Sequence, residues 1–301
     1  MTSRTSLLLA VGFVVLWSSG FVGATLAADA GAVAGLLAWR YLATAALLLV
    51  PLAPRLLRLT RRQLGEQAVL GVLSHVVFLG GVFGAAAAGI DAGTVALVAA
   101  LQPMLVTAAG VALWHDRVRA VQLVGLLLGL VAVAVTVGGA DVVGLAVALP
   151  VLSLLGLSGG ALLERHWQPG VDIATSLAVQ VSVAAVLFTA YAATTGALLT
   201  VRPGTDVAVA IIWLVVFSCL GGYATFVACL RRFGATRTST LLYLTPPVTT
   251  MWGWVMFADA PSSTQWLGLA IGAAAVGLAA AGGHTGRSVR PPGVPVRAAT
   301  D

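Results

Sequence analysis

Apolar residues in this chain come in long unbroken blocks separated by short polar punctuation. Blocks of roughly 18 to 22 residues, long enough to cross a hydrocarbon core of about 30 Å as helices, recur ten times, at about 6–26, 33–53, 67–88, 93–113, 120–138, 143–163, 173–195, 209–230, 236–257 and 265–282. A membrane barrel would instead show alternating segments of about ten residues. The pattern predicts an all-α membrane protein with ten transmembrane helices. The first block follows only Arg4 and has no Ala-x-Ala-like cleavage site, so it reads as a span and not as a removable signal.

Composition agrees and charge adds an orientation. Of the 301 residues 59% are hydrophobic and 9% charged, against about 25% charged in a soluble domain, and the mean hydropathy is +1.02. All sixteen basic residues besides histidine are arginine. Fourteen of them fall before the first span, in every second loop, or in the tail; Arg202 alone lies in the other loops, and Arg40 lies inside a span. Short loops rich in arginine stay on the cytoplasmic side, which predicts that both termini are cytoplasmic. The net charge of +6 thus records topology and not a nucleic-acid patch. The stretch 284–301 is proline-rich and polar and reads as a disordered cytoplasmic tail. Cys219 and Cys229 sit ten apart on one predicted helix, about 15 Å at 1.5 Å per residue, too far for a disulfide.

The chain also repeats itself. At an offset of 143, Leu101, Pro103, Thr107, Gly110, Asp116, Gln122, Gly125 and Gly129 match Leu244, Pro246, Thr250, Gly253, Asp259, Gln265, Gly268 and Gly272. Earlier in each half an offset of 140 pairs Ser18 and Gly20 with Ser158 and Gly160. Residues 1–140 and 141–283 thus read as two five-helix units. Because five is odd, the second unit enters the membrane from the opposite face. This is an inverted-topology repeat, an arrangement in which a site near the midplane is offered to either side in turn.

The residues that carry this repeat also carry a resemblance. "LWSSGFVGATLA" (16–27), "WRYLATAALLL" (39–49), "QPMLVTAAGVALWHDRVRAVQLVGLLLGLVAV" (102–133) and the run from Leu230 to Ala280 resemble the drug/metabolite transporter superfamily, and within it the EamA-like bacterial carriers. The family's usual Gly-Glu turn is His115-Asp116 and Ala258-Asp259 here. The resemblance implies a secondary transporter in the bacterial cytoplasmic membrane that moves small metabolites such as amino acids, frequently outward, by alternating access. A multidrug or nucleobase exporter of the same fold, or a non-transporting membrane scaffold, remains an alternative. No cofactor is expected: the chain has no metal-ligand spacing, no nucleophile elbow and no phosphate-binding loop, so neither an enzyme nor a complete ATP-driven pump is indicated. Membrane lipid and a small-molecule substrate are the expected partners.

Candidate binding residues are the polar and aromatic groups at mid-depth. Arg40 stands about 12 Å into the second span, and its repeat partner at an offset of 140 is Gln180. It is either glue, donating to helix-end carbonyls, or a ligand for a carboxylate or phosphate. His75 is the other ionisable group at depth, either a neutral imidazole bonded to a neighbouring helix or a group that touches substrate or protons. Trp17, Ser18 and Ser19, Gln102, Tyr223, and Tyr243, Thr245, Thr249 and Trp252 complete the expected lining, with Pro103 and Pro246 as hinges near the bilayer centre. No carboxylate is expected inside a span, which disfavours a cationic-drug antiporter. The Gly-x-x-x-Gly pairs Gly125/Gly129 and Gly268/Gly272 permit close helix approach, either within the chain or at the seam of a homodimer.

Overall fold

A computed structural model describes residues 3–29, 33–115, 120–138, 148–201, 204–222, 224–226, 228–229, 232–233, 241–258 and 260–283. Tyr223, Asp116, Asp259, the loop arginines 117, 119, 202, 231 and 237, and the tail lie outside them. The described residues are helical without strands. The helices are α1 (Ser3–Asp29), α2 (Val33–Leu56), α3 (Arg61–Gly71), α4 (Phe78–Ala87), α5 (Ala92–Ala99), α6 (Gln102–Trp114), α7 (Ala120–Gly138), α8 (Ala148–Trp167), α9 (Ile173–Thr194), the short α10 (Ala197–Thr200), α11 (Thr205–Ile212), α12 (Thr245–Phe257) and α13 (Ser263–Gly283). Two π-helical stretches interrupt them: Val72–Val77 joins α3 to α4, and Trp213–Gly222 continues α11. Among the described residues, seven helical stretches are long and apolar enough to span a membrane.

Local chemistry sets the boundaries. Thr60 and Gln63 form a capping box that starts α3, and Ser262 and Gln265 bond reciprocally at the start of α13. Asp91 and Asp172 cap α5 and α9 alike, each accepting from the backbone N–H and the hydroxyl of a threonine three residues on. The expected fourth span is not one continuous helix. A turn at Ala100–Leu101 separates α5 from α6, because Pro103 belongs in a first turn and disfavours helix before it. Pro246 stands likewise in the first turn of α12. Both prolines therefore begin helices and do not kink them.

The two halves carry the same devices in the same places. Leu101 and Leu244 precede α6 and α12, and each of these helices ends on a left-handed residue, His115 and Ala258, both with φ of 56°. Thr107 donates to the Pro103 carbonyl and Thr250 to the Pro246 carbonyl, at 2.7 and 3.0 Å. The π stretches also correspond, and they exchange partners across the halves. Gly20 on α1 faces Ser218 of the second π stretch, whereas Gly160 on α8 faces Ser74 of the first.

Equivalent helices meet in pairs. α2 packs on α9 and α7 on α13. The start of α2, at Gly35, touches the Ala197 carbonyl beyond the end of α9, and its last turn sets Arg55 3.5 Å from Asp172 before the start of α9. These two helices are therefore antiparallel. Gly125, Gly129, Gly268 and Gly272 are buried; a Cβ on Gly272 would meet Leu97 of α5 and then Ala132 of α7, and one on Gly129 would meet Leu101 and Met104.

The molecule has two chemically different ends. At one, Arg232 donates to Ser6, Gln63 donates to the Pro169 carbonyl, and the Arg165 guanidinium lies 4.5 Å above the Trp114 ring. At the other, Asp29, Asp91 and Gln265 line one recess. The largest buried apolar cluster, which includes Phe21, Leu36, Phe83, Phe188 and Leu214, occupies the half nearer the acidic end.

Candidate functional site

Between that cluster and the basic end lies a cavity of about 340 Å³. It is walled by Trp17, Gly20 and Phe21 of α1, Arg40 of α2, Phe78, Leu79 and Val82 of α4, Leu157 of α8, and Leu177 and Gln180 of α9. Ser74 and His75 enter from the first π stretch, Ser218 and Cys219 from the second, and Phe226 completes the wall. A π turn inserts one residue into the helical ladder and re-aims the side chains that follow, which is why such turns gather at functional sites. Here they bring a Ser-His pair and a Ser-Cys pair to the same space from corresponding places in the two halves.

An adjoining space of about 190 Å³ shares Trp17, Phe21, Phe78, Leu157 and Phe226 with the first. It adds Gln102 and Pro103 from one half and Tyr243 and Thr245 from the other.

Arg40 is only 6% exposed. Its guanidinium carbon lies 5.2 Å from the centre of the Tyr41 ring and 5.9 Å from that of Phe83. Nη1 has no hydrogen-bond partner, and among the described residues neither a carboxylate nor a helix-end carbonyl reaches the group. The glue reading therefore lacks its contacts. A charge at the centre of a membrane helix costs about 2.5–3.5 kcal/mol or more, and ring faces at these distances offset part of it without accepting a hydrogen bond in the guanidinium plane. Nη1 remains unmet.

His75 is held through its Nδ1, 3.0 Å from the Tyr41 hydroxyl, and Tyr41 stacks on Phe188 with ring centres 5.3 Å apart. Gln180 donates to Gln67 at 2.7 Å, while the amide nitrogen of the fully buried Gln67 is unpartnered. These contacts tie α2, the first π stretch, α3 and α9 together around the cavity.

The other sequence candidates divide. Ser18 donates to the Thr245 carbonyl at 3.4 Å and Ser19 to the Leu16 carbonyl at 2.6 Å; both are buried and satisfy main chain instead of facing the cavity. Trp213 donates to the Ser19 carbonyl at 2.9 Å and meets Trp252 edge-on at 5.5 Å. Thr249 is fully buried, and its hydroxyl, that of Thr245 and the Trp252 indole N–H have no partner. Thr249 and Trp252 stand apart from the residues that wall the two spaces. Sequence reasoning missed Ser74, Ser218, Cys219, Tyr41 and Gln67. A signal for the first three was present: "SHVVFLGG" and "SCLGG" each place Ser and a polarisable neighbour ahead of a Gly-Gly pair.

The profile described as the EamA-like transporter family matches residues 4–138 and again residues 144–281. The chain belongs to the EamA-like transporter family. This is a family of membrane transporters and not of enzymes, and its two-repeat fold is the one described above. A solved crystal structure is similar to this EamA-like chain in fold, with a TM-score of 0.59 at 20% identity, covering 92% of this chain and 97% of that one. A comparison with curated protein sequences finds no match.

Proposed function

We propose that this EamA-like protein is a ten-span secondary carrier that exports small metabolites, amino acids among them, across the bacterial cytoplasmic membrane by alternating access. The observation that carries the reading is the make-up of the cavity wall. Arg40 and Gln180, related by an offset of 140, and Ser74/His75 and Ser218/Cys219, related by 144, face one space from the two halves. A site built at a repeat interface is what exchange between two near-equivalent conformations requires. The antiparallel pairing of the equivalent helices α2 and α9 supports an inverted relation of the halves. The arginines gathered at one end support both termini on the cytoplasmic side. In that orientation the packed core closes the outer half and the cavity lies toward the cytoplasm, an inward-facing state.

The test is counterflow. Purified protein in liposomes preloaded with an unlabelled solute should accumulate the labelled form of the same solute transiently, for at least one of a panel of amino acids, nucleobases and cationic dyes. A panel that gives no protein-dependent exchange would instead favour a non-transporting scaffold of the same fold. Exchange confined to the dyes would make the protein a drug exporter.

A further inference from the structure

We propose that the cavity selects an apolar organic monocarboxylate, a single carboxylate on an aromatic or hydrocarbon body, over a zwitterion or a cation. The inference rests on the transport reading only in taking this cavity as the binding site, and it narrows the solutes of that reading to organic acids, away from the amino acids.

Three features of the wall lead there. The first is the unmatched charge of Arg40. A guanidinium is a rigid planar fork of donors that fits a carboxylate bidentately. The face of this one is occupied by the Tyr41 and Phe83 rings while Nη1 is buried without a partner. A cation with an unmet donor, on a side chain more than nine-tenths buried that lines a cavity, is a place prepared for an anion.

The second feature is what the wall lacks. Among the described residues that line the cavity and its neighbour there is no aspartate or glutamate. The polar groups that share the wall with Arg40 from the other elements, Ser74, His75, Gln180, Ser218 and Cys219, include no acid. An amino acid would bring its ammonium into a space already holding one cation and offering no counter-charge. Repulsion between like charges grows as the local dielectric falls. A cationic solute would meet the same repulsion with no compensating anion of its own.

The third feature fixes the body of the ligand. Trp17, Phe21, Phe78 and Phe226, with Leu157 and Leu177, supply most of the remaining surface. The volume of about 340 Å³ lies at the small end of ligand pockets, which run from about 300 to 1,000 Å³. One guanidinium matches one negative charge, so a monoanion fits better than a dianionic phosphate ester.

Cys219 makes the inference testable on the unmodified protein, because this free thiol is in the cavity wall whereas Cys229 is fully buried in a separate apolar cluster. The rate of Cys219 alkylation by N-ethylmaleimide is read by mass spectrometry in the presence of 3-phenylpropionate, phenylalanine or phenethylamine. These share a phenylethyl body and differ in charge. The expected result is protection by 3-phenylpropionate at a concentration at least about tenfold below that needed for phenylalanine, as loss of one unpaired buried charge contact implies, and none by phenethylamine. Arg40→Gln should lose this protection and Arg40→Lys should keep part of it. Where Arg40→Gln does not fold, the ligand ranking on the wild type decides. Equal or better protection by phenylalanine or phenethylamine, or none by 3-phenylpropionate, overturns the proposal. Counterflow of the same three solutes separates the two claims: protection without flux supports the binding inference and removes the transport reading, whereas flux that favours phenylalanine does the reverse.

Discussion

Arg40 was visible in the sequence as one cation in an apolar run, and its depth followed from counting residues. What surrounds it was not visible, because Tyr41, Phe83 and the absent acid are facts of packing between helices. Gln180 was legible through the repeat, but its bond to Gln67 joins residues far apart in the chain. Ser18 and Ser19 show the reverse limit: their depth suggested a lining role, yet a hydroxyl in an apolar helix finds main-chain carbonyls first. Asp172 is a residue whose effect follows from its own contacts. The Thr175 hydroxyl at 2.6 Å, then its backbone N–H and the nearby Arg55, hold the Asp172 carboxyl below the usual carboxylate range. A depressed carboxyl stabilises the fold fully above the ordinary aspartate value of about 3.9, and that contribution is lost as pH falls below it. Asp172→Ala should therefore lower stability by about 1 kcal/mol at pH 7, the usual cost of a lost cap. In thermal unfolding in detergent the gap to wild type should close below about pH 4; a gap that persists there would mean the carboxylate is not responsible.

At the scale of elements, the described residues of the apolar blocks are mostly helical, and the offset of 143 carried through to the caps of α6 and α12. The interruptions were harder to read. A π turn leaves no hydrophobic signature, since the residues on either side remain apolar, and "VLSHVV" looks like any buried helix. Its cause lies partly in the neighbour. A Cβ on Gly156 of α8 would stand 2.8 Å from the Leu73 carbonyl oxygen and 2.7 Å from Val77 Cγ1, so only glycine lets α8 lie against the first π stretch. Gly156→Ala should cost about 1–3 kcal/mol, as overpacking generally does, measured as a lowered unfolding temperature. It should also slow alkylation at Cys219 by displacing the stretch that holds Ser74 and His75. An unchanged unfolding temperature would show that the two helices have room to part.

At the scale of the whole molecule, the two-repeat helical fold was legible in the sequence, and its asymmetry was not. Nothing along the chain says that the main core gathers at the acidic end, because both halves are equally apolar there. Only the contacts among α2, α4 and α9 place it. With the core gathered at that end, the cavity shared by the halves is the proposed path of the solute. The most direct measurement uses Cys229→Ala protein, in which Cys219 is the one remaining thiol of the chain's two. Its counterflow is compared in liposomes before and after complete alkylation, with and without substrate present during the reaction. A path through this cavity predicts that exchange is lost on alkylation and spared when substrate occupies it. Exchange that continues undiminished with Cys219 fully modified would contradict it and place the path elsewhere in the protein.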